Sequence, residues 1–153
     1  MLSFYKWLGL SAVVIAIDLY TKHLVQQAFA YGEHFTVTNF FDLVRYHNEG
    51  AAFSFLANAG GWQHLFFSTV ATVASILIIY ILYKNTTKKL LCFGLALVLG
   101  GALGNLYDRI TLGYVVDFLY FHYRSFYWPA FNVADSAICV GVAILLLDSF
   151  KSK

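Results

Sequence analysis

The sequence predicts an all-α membrane protein: a four-transmembrane-helix bundle carrying a small antiparallel β-sheet at the outer membrane surface. Three observations predict it. First, 60% of the 153 residues are hydrophobic and only 12% are charged, with a mean hydropathy of +0.68. A soluble domain usually carries about 25% charged residues, so too few polar side chains remain here to coat a water-facing surface. Second, the apolar runs approach or exceed the ~18–20 residues needed to cross a bilayer. An unusually apolar soluble bundle fails on that length. Third, the lysines collect in alternate connections, as they do in multi-pass proteins.

The first span is expected over residues 4–28. It reads as a retained helix, because no small-x-small cleavage site precedes a soluble segment. Residues 34–46 follow, rich in β-branched and aromatic side chains, and read as strand. The second span is expected over 62–83, rich in Ile, Val and Leu, and the third over 90–107. Residues 113–121 are again strand-like, and Trp128 and Pro129 form an interfacial turn into the fourth span, 132–150. No internal repeat or low-complexity segment interrupts the chain, so residues 1–153 read as one integral membrane domain.

Orientation follows from the basic residues. Lys6 precedes the first span, Lys84, Lys88 and Lys89 fill the turn between the second and third, and Lys151 and Lys153 end the chain. The two longer connections, 29–61 and 108–131, hold no lysine and only Arg45, Arg109 and Arg124. The positive-inside bias puts both termini in the cytoplasm and the longer connections outside.

Several function classes lose support. A net charge of +2, without a basic run interleaved with aromatics, offers nothing to nucleic acid. Cys92 and Cys139 have neither metal-ligand nor disulfide-framework spacing and read as small core residues. The five histidines form no metal-binding helix motif. A Gly-x-Ser-x-Gly elbow is absent, no Gly-rich phosphate loop follows a strand, and Cys139 lies too deep for an obvious nucleophile. Without such a histidine motif, metal catalysis lacks support.

What remains is a convergence of polar residues at one depth. Asp18, Thr21 and Lys22 lie near the outer end of the first span, and Asn105, Asp108 and Arg109 near the outer end of the third. Asn132, Asp135 and Ser136 open the fourth. Asp18 and Lys22 share a helix face at i,i+4. Gly101, Gly104, Asn105 and Asp108 follow helical spacing on a second face, and Asn132, Asp135, Ser136 and Cys139 on a third. Ionisable groups at such depth are functional by default. Read singly, each has a plainer role. Asp18–Lys22 is also an intrahelical ion pair, residues 100–104 a packing seam, and Asp108–Arg109 a helix end. Asn132 with Asp135 makes an Asp variant of the capping box. Asp117 serves as a loop carboxylate, and residues 48–50 as a turn.

The chemistry left open is that of paired carboxylates, two of which cannot both ionise easily at short range and so share a proton. Asp117 and Asp135 are the best-placed pair, both expected at the outer interface beside the start of the fourth span.

Five ordered segments then carry a resemblance: DLYTK (18–22), NEGAAFS (48–54), GGALGNLYDR (100–109), VVDF (115–118) and FNVAD (131–135). Together they resemble the lipoprotein signal peptidases, also called signal peptidase II, over nearly the whole chain. One departure is Leu19, where that family commonly has Gln. The resemblance implies an aspartic endopeptidase of the bacterial inner membrane whose substrate is diacylglyceryl-modified prolipoprotein. It would be cut just before the lipidated cysteine, with the membrane lipid as surroundings. By similarity Asp117 and Asp135 would be the catalytic dyad, and no metal or organic cofactor is implied. Asn48, Gly50, Asn105, Asp108, Arg109, Asn132 and Ala134 would support the site or contact substrate, and Asp18 and Lys22 would form a structural pair. The family's outer β-rich cradle and a mobile segment over the site are implied as well. Asp135 sits in the first turn of a helix, where the dipole favours a charged carboxylate, so Asp117 is expected to hold the shared proton more often.

Two rival readings have their own expectations. A small transporter or lipid-binding protein needs polar groups through the full membrane depth, and the inner halves of the spans are almost wholly apolar. A non-catalytic assembly subunit keeps its activity when either aspartate becomes Asn.

Overall fold

The computed structural model describes residues 2–50 and 62–151. Residues 51–54 of the second motif lie outside them. The described elements run α1 (Leu2–Ala28), β1 (His34–Thr38), β2 (Phe41–Asn48), α2 (Trp62–Lys84), α3 (Lys89–Leu112), β3 (Val115–Tyr123), β4 (Phe126–Tyr127) and α4 (Val133–Lys151). All four helices are long and apolar enough to cross a membrane.

The bundle is built around α3, which packs against α1, α2 and α4. In its most apolar stretch 56% of the residues are buried, against 11–17% in the other three. Those three instead expose large apolar side chains such as Leu65, Ile76, Leu77, Leu146 and Leu147. In water such surface is unfavourable; in a bilayer it is the solvated face. The chain is a multi-pass membrane protein.

Small residues set the helix spacing. A Cβ on Gly100 would stand 2.6 Å from Val14 Cβ of α1, and one on Gly141 of α4 would stand 2.7 Å from the carbonyl of Gly94 in α3. Without a hydrophobic drive between helices in lipid, such close backbone approach supplies the packing.

α3 continues five residues beyond the expected end of the third span. Residues 108–112 thus belong to the helix and not to the following connection. No breaker occurs until Gly113, whose positive φ of 86° closes the helix while its N–H bonds the carbonyl of Arg109. The charges at 108 and 109 do not end the helix, because both side chains find partners.

The sheet is antiparallel in the order β1-β2-β3-β4. Its register pairs Tyr46 with Asp117 and Asn48 with Val115, so the end of β2 lies beside the start of β3. Arg45 fastens the sheet to the bundle: its guanidinium donates to the carbonyls of Gln26 (3.2 Å) and Phe29 (2.9 Å). These are carbonyls that the end of α1 leaves without helical partners. Val25 of α1 packs on Val116 and Phe118 of β3 in a small apolar cluster beneath the sheet.

Candidate active site

Asp117 lies on β3, near the point where the strand leaves α3, and is only 3% exposed. Both carboxylate oxygens accept amide N–H groups: Asn48 donates to Oδ2 at 2.9 Å and Asn132 to Oδ1 at 2.8 Å. Burial and the nearby charge of Asp135 push its carboxyl up to about 7, against the pull of those two amides and of Lys22.

Asp135 lies in the first turn of α4. Asn132 just ahead of it accepts the Asp135 N–H at 2.9 Å, and the Asp135 carboxylate accepts the Asn132 N–H at 3.2 Å. This is the reciprocal capping box expected from the sequence, with Asp in place of Glu. It has a second use. The same Asn132 side chain that caps α4 with its oxygen donates with its nitrogen to Asp117, so one residue bridges the two acids.

Asn105 of α3 supplies the next layer. Its amide donates to Asp135 at 2.8 Å, and its oxygen accepts Lys22 at 2.9 Å. Lys22 is 1% exposed and pairs with Asp18 at 2.7 Å and Asp108 at 3.0 Å. A buried ammonium is tolerable only with such compensation. Asp18 then accepts the N–H of Ala134 at 2.8 Å, and Asp108 accepts the N–H of Val116, next to Asp117, at 3.1 Å. Arg109 donates to the carbonyl of Gly50 at 3.0 Å, and the Gly50 N–H donates to Asn48 at 3.0 Å. Asp18, Lys22, Asn48, Gly50, Asn105, Asp108, Arg109, Asp117, Asn132, Ala134 and Asp135 therefore belong to one connected network.

Two clefts meet at this network. One, of about 410 Å³, is lined by Asp117 with Tyr31, Tyr46, Tyr120 and Tyr127. The other, of about 350 Å³, is lined by Asp135 with Phe131, Ser136, Cys139 and Val140, and is mostly apolar. Asn48, Trp128, Pro129 and Ala130 form part of both walls. Cys92 is buried as expected, but Cys139 is exposed on the wall of the second cleft. It lies one turn beyond Asp135 on α4. The tyrosines and His64 carried no signal in the sequence: the former look like interfacial aromatics, and the latter meets a main-chain carbonyl, a partner no motif records. Among the described residues, no three His, Cys, Asp or Glu side chains converge to hold a metal ion.

A multi-pass membrane protein with buried acids gathered at one end of its bundle is the class that fold and site define. The family model described as Signal peptidase (SPase) II matches residues 10–151. The chain belongs to the signal peptidase II family and is a protease. It is 52% identical over 145 residues to the lipoprotein signal peptidase of Ralstonia nicotianae, covering 95% of this chain and 84% of that one. It is 52% identical over 149 residues to that of Paraburkholderia phytofirmans, covering 97% and 87%. Two solved bacterial membrane enzyme structures share the fold. One has a TM-score of 0.85 at 28% identity, covering 95% of this chain and 88% of that one. The other has 0.83 at 27%, covering 97% and 94%.

Proposed function

We propose that this protease cleaves signal peptides from diacylglyceryl-modified prolipoproteins, on the N-terminal side of the lipidated cysteine, with Asp117 and Asp135 as an aspartic dyad. The observation that carries the reading is the Asn132 bridge, which ties one acid to the other through hydrogen bonds of 2.8 and 2.9 Å. The family and the names of its relatives support the substrate.

In this reading Asp117 enters protonated and Asp135 ionised. Asp135 takes a proton from water as the water oxygen attacks the scissile carbonyl, and Asp117 gives its proton to the carbonyl oxygen. The tetrahedral diol then collapses. Asp135 returns its proton to the departing amine of the cysteine, the C–N bond breaks, and Asp117 recovers a proton from a diol hydroxyl. Burial and the charge of Asp135, which hold the Asp117 carboxyl near 7, support its role as the acid.

Asn105, Asn132 and Asn48 would orient the dyad, Asp18, Lys22 and Asp108 would hold the helices that bear it, and Arg109 with Gly50 would hold Asn48. The lysine distribution supports both termini in the cytoplasm and the site at the periplasmic face of the inner membrane. There the scissile bond meets the dyad while the acyl chains stay in lipid.

The test is cleavage of a diacylglyceryl-modified prolipoprotein by purified protein. Asp117→Asn and Asp135→Asn are each expected to insert and fold yet lose about 10³-fold or more of turnover, the scale of lost acid–base catalysis. Retained turnover in either variant rejects the dyad.

A further inference from the structure

A primary amide has two ends of nearly equal size and opposite polarity. Asn48 is useful to Asp117 only with its nitrogen end forward, because the other end would set a carbonyl oxygen against a carboxylate oxygen. What fixes that choice lies outside the side chain. The Asn48 oxygen accepts the Gly50 N–H at 3.0 Å, which leaves the nitrogen to donate to Asp117 at 2.9 Å.

Gly50 is itself held. Its carbonyl accepts the Arg109 guanidinium at 3.0 Å. Arg109 is supported from α2 by two side chains three residues apart, and so on one face of that helix. Phe67 lies under the guanidinium, 5.5 Å from ring centroid to Cζ. The His64 ring nitrogen Nε2 meets the main-chain carbonyl of Arg109. A carbonyl can only accept, so His64 Nε2 carries the proton and donates. That carbonyl lies in the last turn of α3 and already accepts the Gly113 N–H at 3.1 Å; its second lone pair takes the His64 donor.

We propose that His64 is a positioning residue for the peptidase reaction: it fixes the end of α3 so that Arg109 holds Gly50, and Gly50 keeps the Asn48 amide facing Asp117. The inference rests on the dyad reading above. His64 touches neither acid and acts only through this sequence of contacts. The other charged groups acting on Asp117 are Asp135 from α4, Lys22 from α1 and Arg109 itself, and of these only Arg109 is held from α2.

The experiment measures kcat and KM on a diacylglyceryl-modified prolipopeptide in detergent, in two backgrounds. His64→Leu is expected to lower kcat about tenfold with KM within about twofold, as a small misorientation at the reacting groups does. His64→Gln places an amide donor at similar reach and is expected to recover kcat to within about threefold of the parent. In the Asn48→Ala background, His64→Leu is expected to cost nothing further, because the group it orients is gone. Without the Asn48 donor, the fall of kcat with rising pH is expected to move upward in His64→Leu, since that bond favours the ionised form of Asp117. The inference is overturned by any of three results: unchanged kcat in His64→Leu, an equal loss in both backgrounds, or no recovery by Gln. A parent protein that does not cleave would instead overturn the substrate reading, so the two failures are distinct.

Discussion

The carboxylate of Asp18, on α1, accepts the backbone N–H of Ala134, in the first turn of α4, at 2.8 Å. Its other oxygen lies 2.7 Å from Lys22, which also pairs with Asp108 of α3. One buried cluster thus joins α1, α3 and the N-terminus of α4, the helix that bears Asp135. Asp18 also explains Gly104, where a Cβ would fall 2.6 Å from the carboxylate oxygen.

Removing the cation of this cluster is expected to cost most. Lys22→Met leaves Asp18 and Asp108 buried without a counter-charge and should destabilise the protein by about 3–5 kcal/mol, as breaking a buried ion pair does. Asp18→Asn keeps an acceptor for Ala134 and leaves Lys22 paired with Asp108, so its loss should be smaller. Thermal unfolding in detergent ranks the two, and the reverse order would contradict the arrangement.

Glycine substitutions should separate by contact. Gly104→Ala drives its methyl into Asp18, and Gly101→Ala drives one into the Ala134 carbonyl and Ile138. Both should lower stability and turnover together. Gly9→Ala, with open space at its Cβ, should be neutral or stabilise by up to about 1 kcal/mol through helix propensity. Unfolding midpoints and turnover of the three variants check this.

The two functions of Asn132 should be separable. Asn132→Ala loses the α4 cap, worth about 1 kcal/mol, together with the link to Asp117. Asn132→Ser retains a capping oxygen without an amide donor. Serine is expected to restore most of the stability but not the turnover, and recovery of both would mean the bridge has no part in catalysis.

Asp117 makes stability depend on pH. Its carboxyl rises from an ordinary 3.8 to about 7 in the folded protein. Between those values the native state keeps a proton that the unfolded chain has released. The contribution to stability is fully present below about pH 4 and is lost as pH rises through about 7. Asp117→Asn should flatten this part of the profile. A parent protein that gains stability from pH 5 to 8, with no change in slope on substitution, would contradict it. Turnover should fall over the same upper limb as the shared proton is lost.

The spans were legible because bilayer thickness forces long apolar runs, and the strands because β-branched and aromatic residues cluster at 34–46 and 113–121. The site was legible at the level of residues: helical spacing placed Asp18 with Lys22 and Asn105 with Asp108, and the capping geometry of Asn132 and Asp135 followed from a three-residue offset. The link between Asn132 and Asp117 was not, since it depends on β3 returning to the start of α4 after a strand pairing that no local signal sets. The five residues by which α3 outruns its apolar stretch were not legible, because the charges at 108 and 109 are compatible with either a helix end or a continued helix whose Asp108 is buried beside a lysine from α1. His64 and Arg45 act on main-chain carbonyls, which have no identity in a sequence.

The seam where Gly94 and Gly141 bring α3 and α4 into backbone contact lies below the acids, deeper in the bundle. A hydrolase needs a supply of water, yet a membrane protein must admit it without opening a path through the bilayer. Helices touching along bare backbone leave no room at that point for a file of water molecules to continue inward. The same contact that sets the spacing of α3 and α4 thus shuts water out between those two helices at that depth.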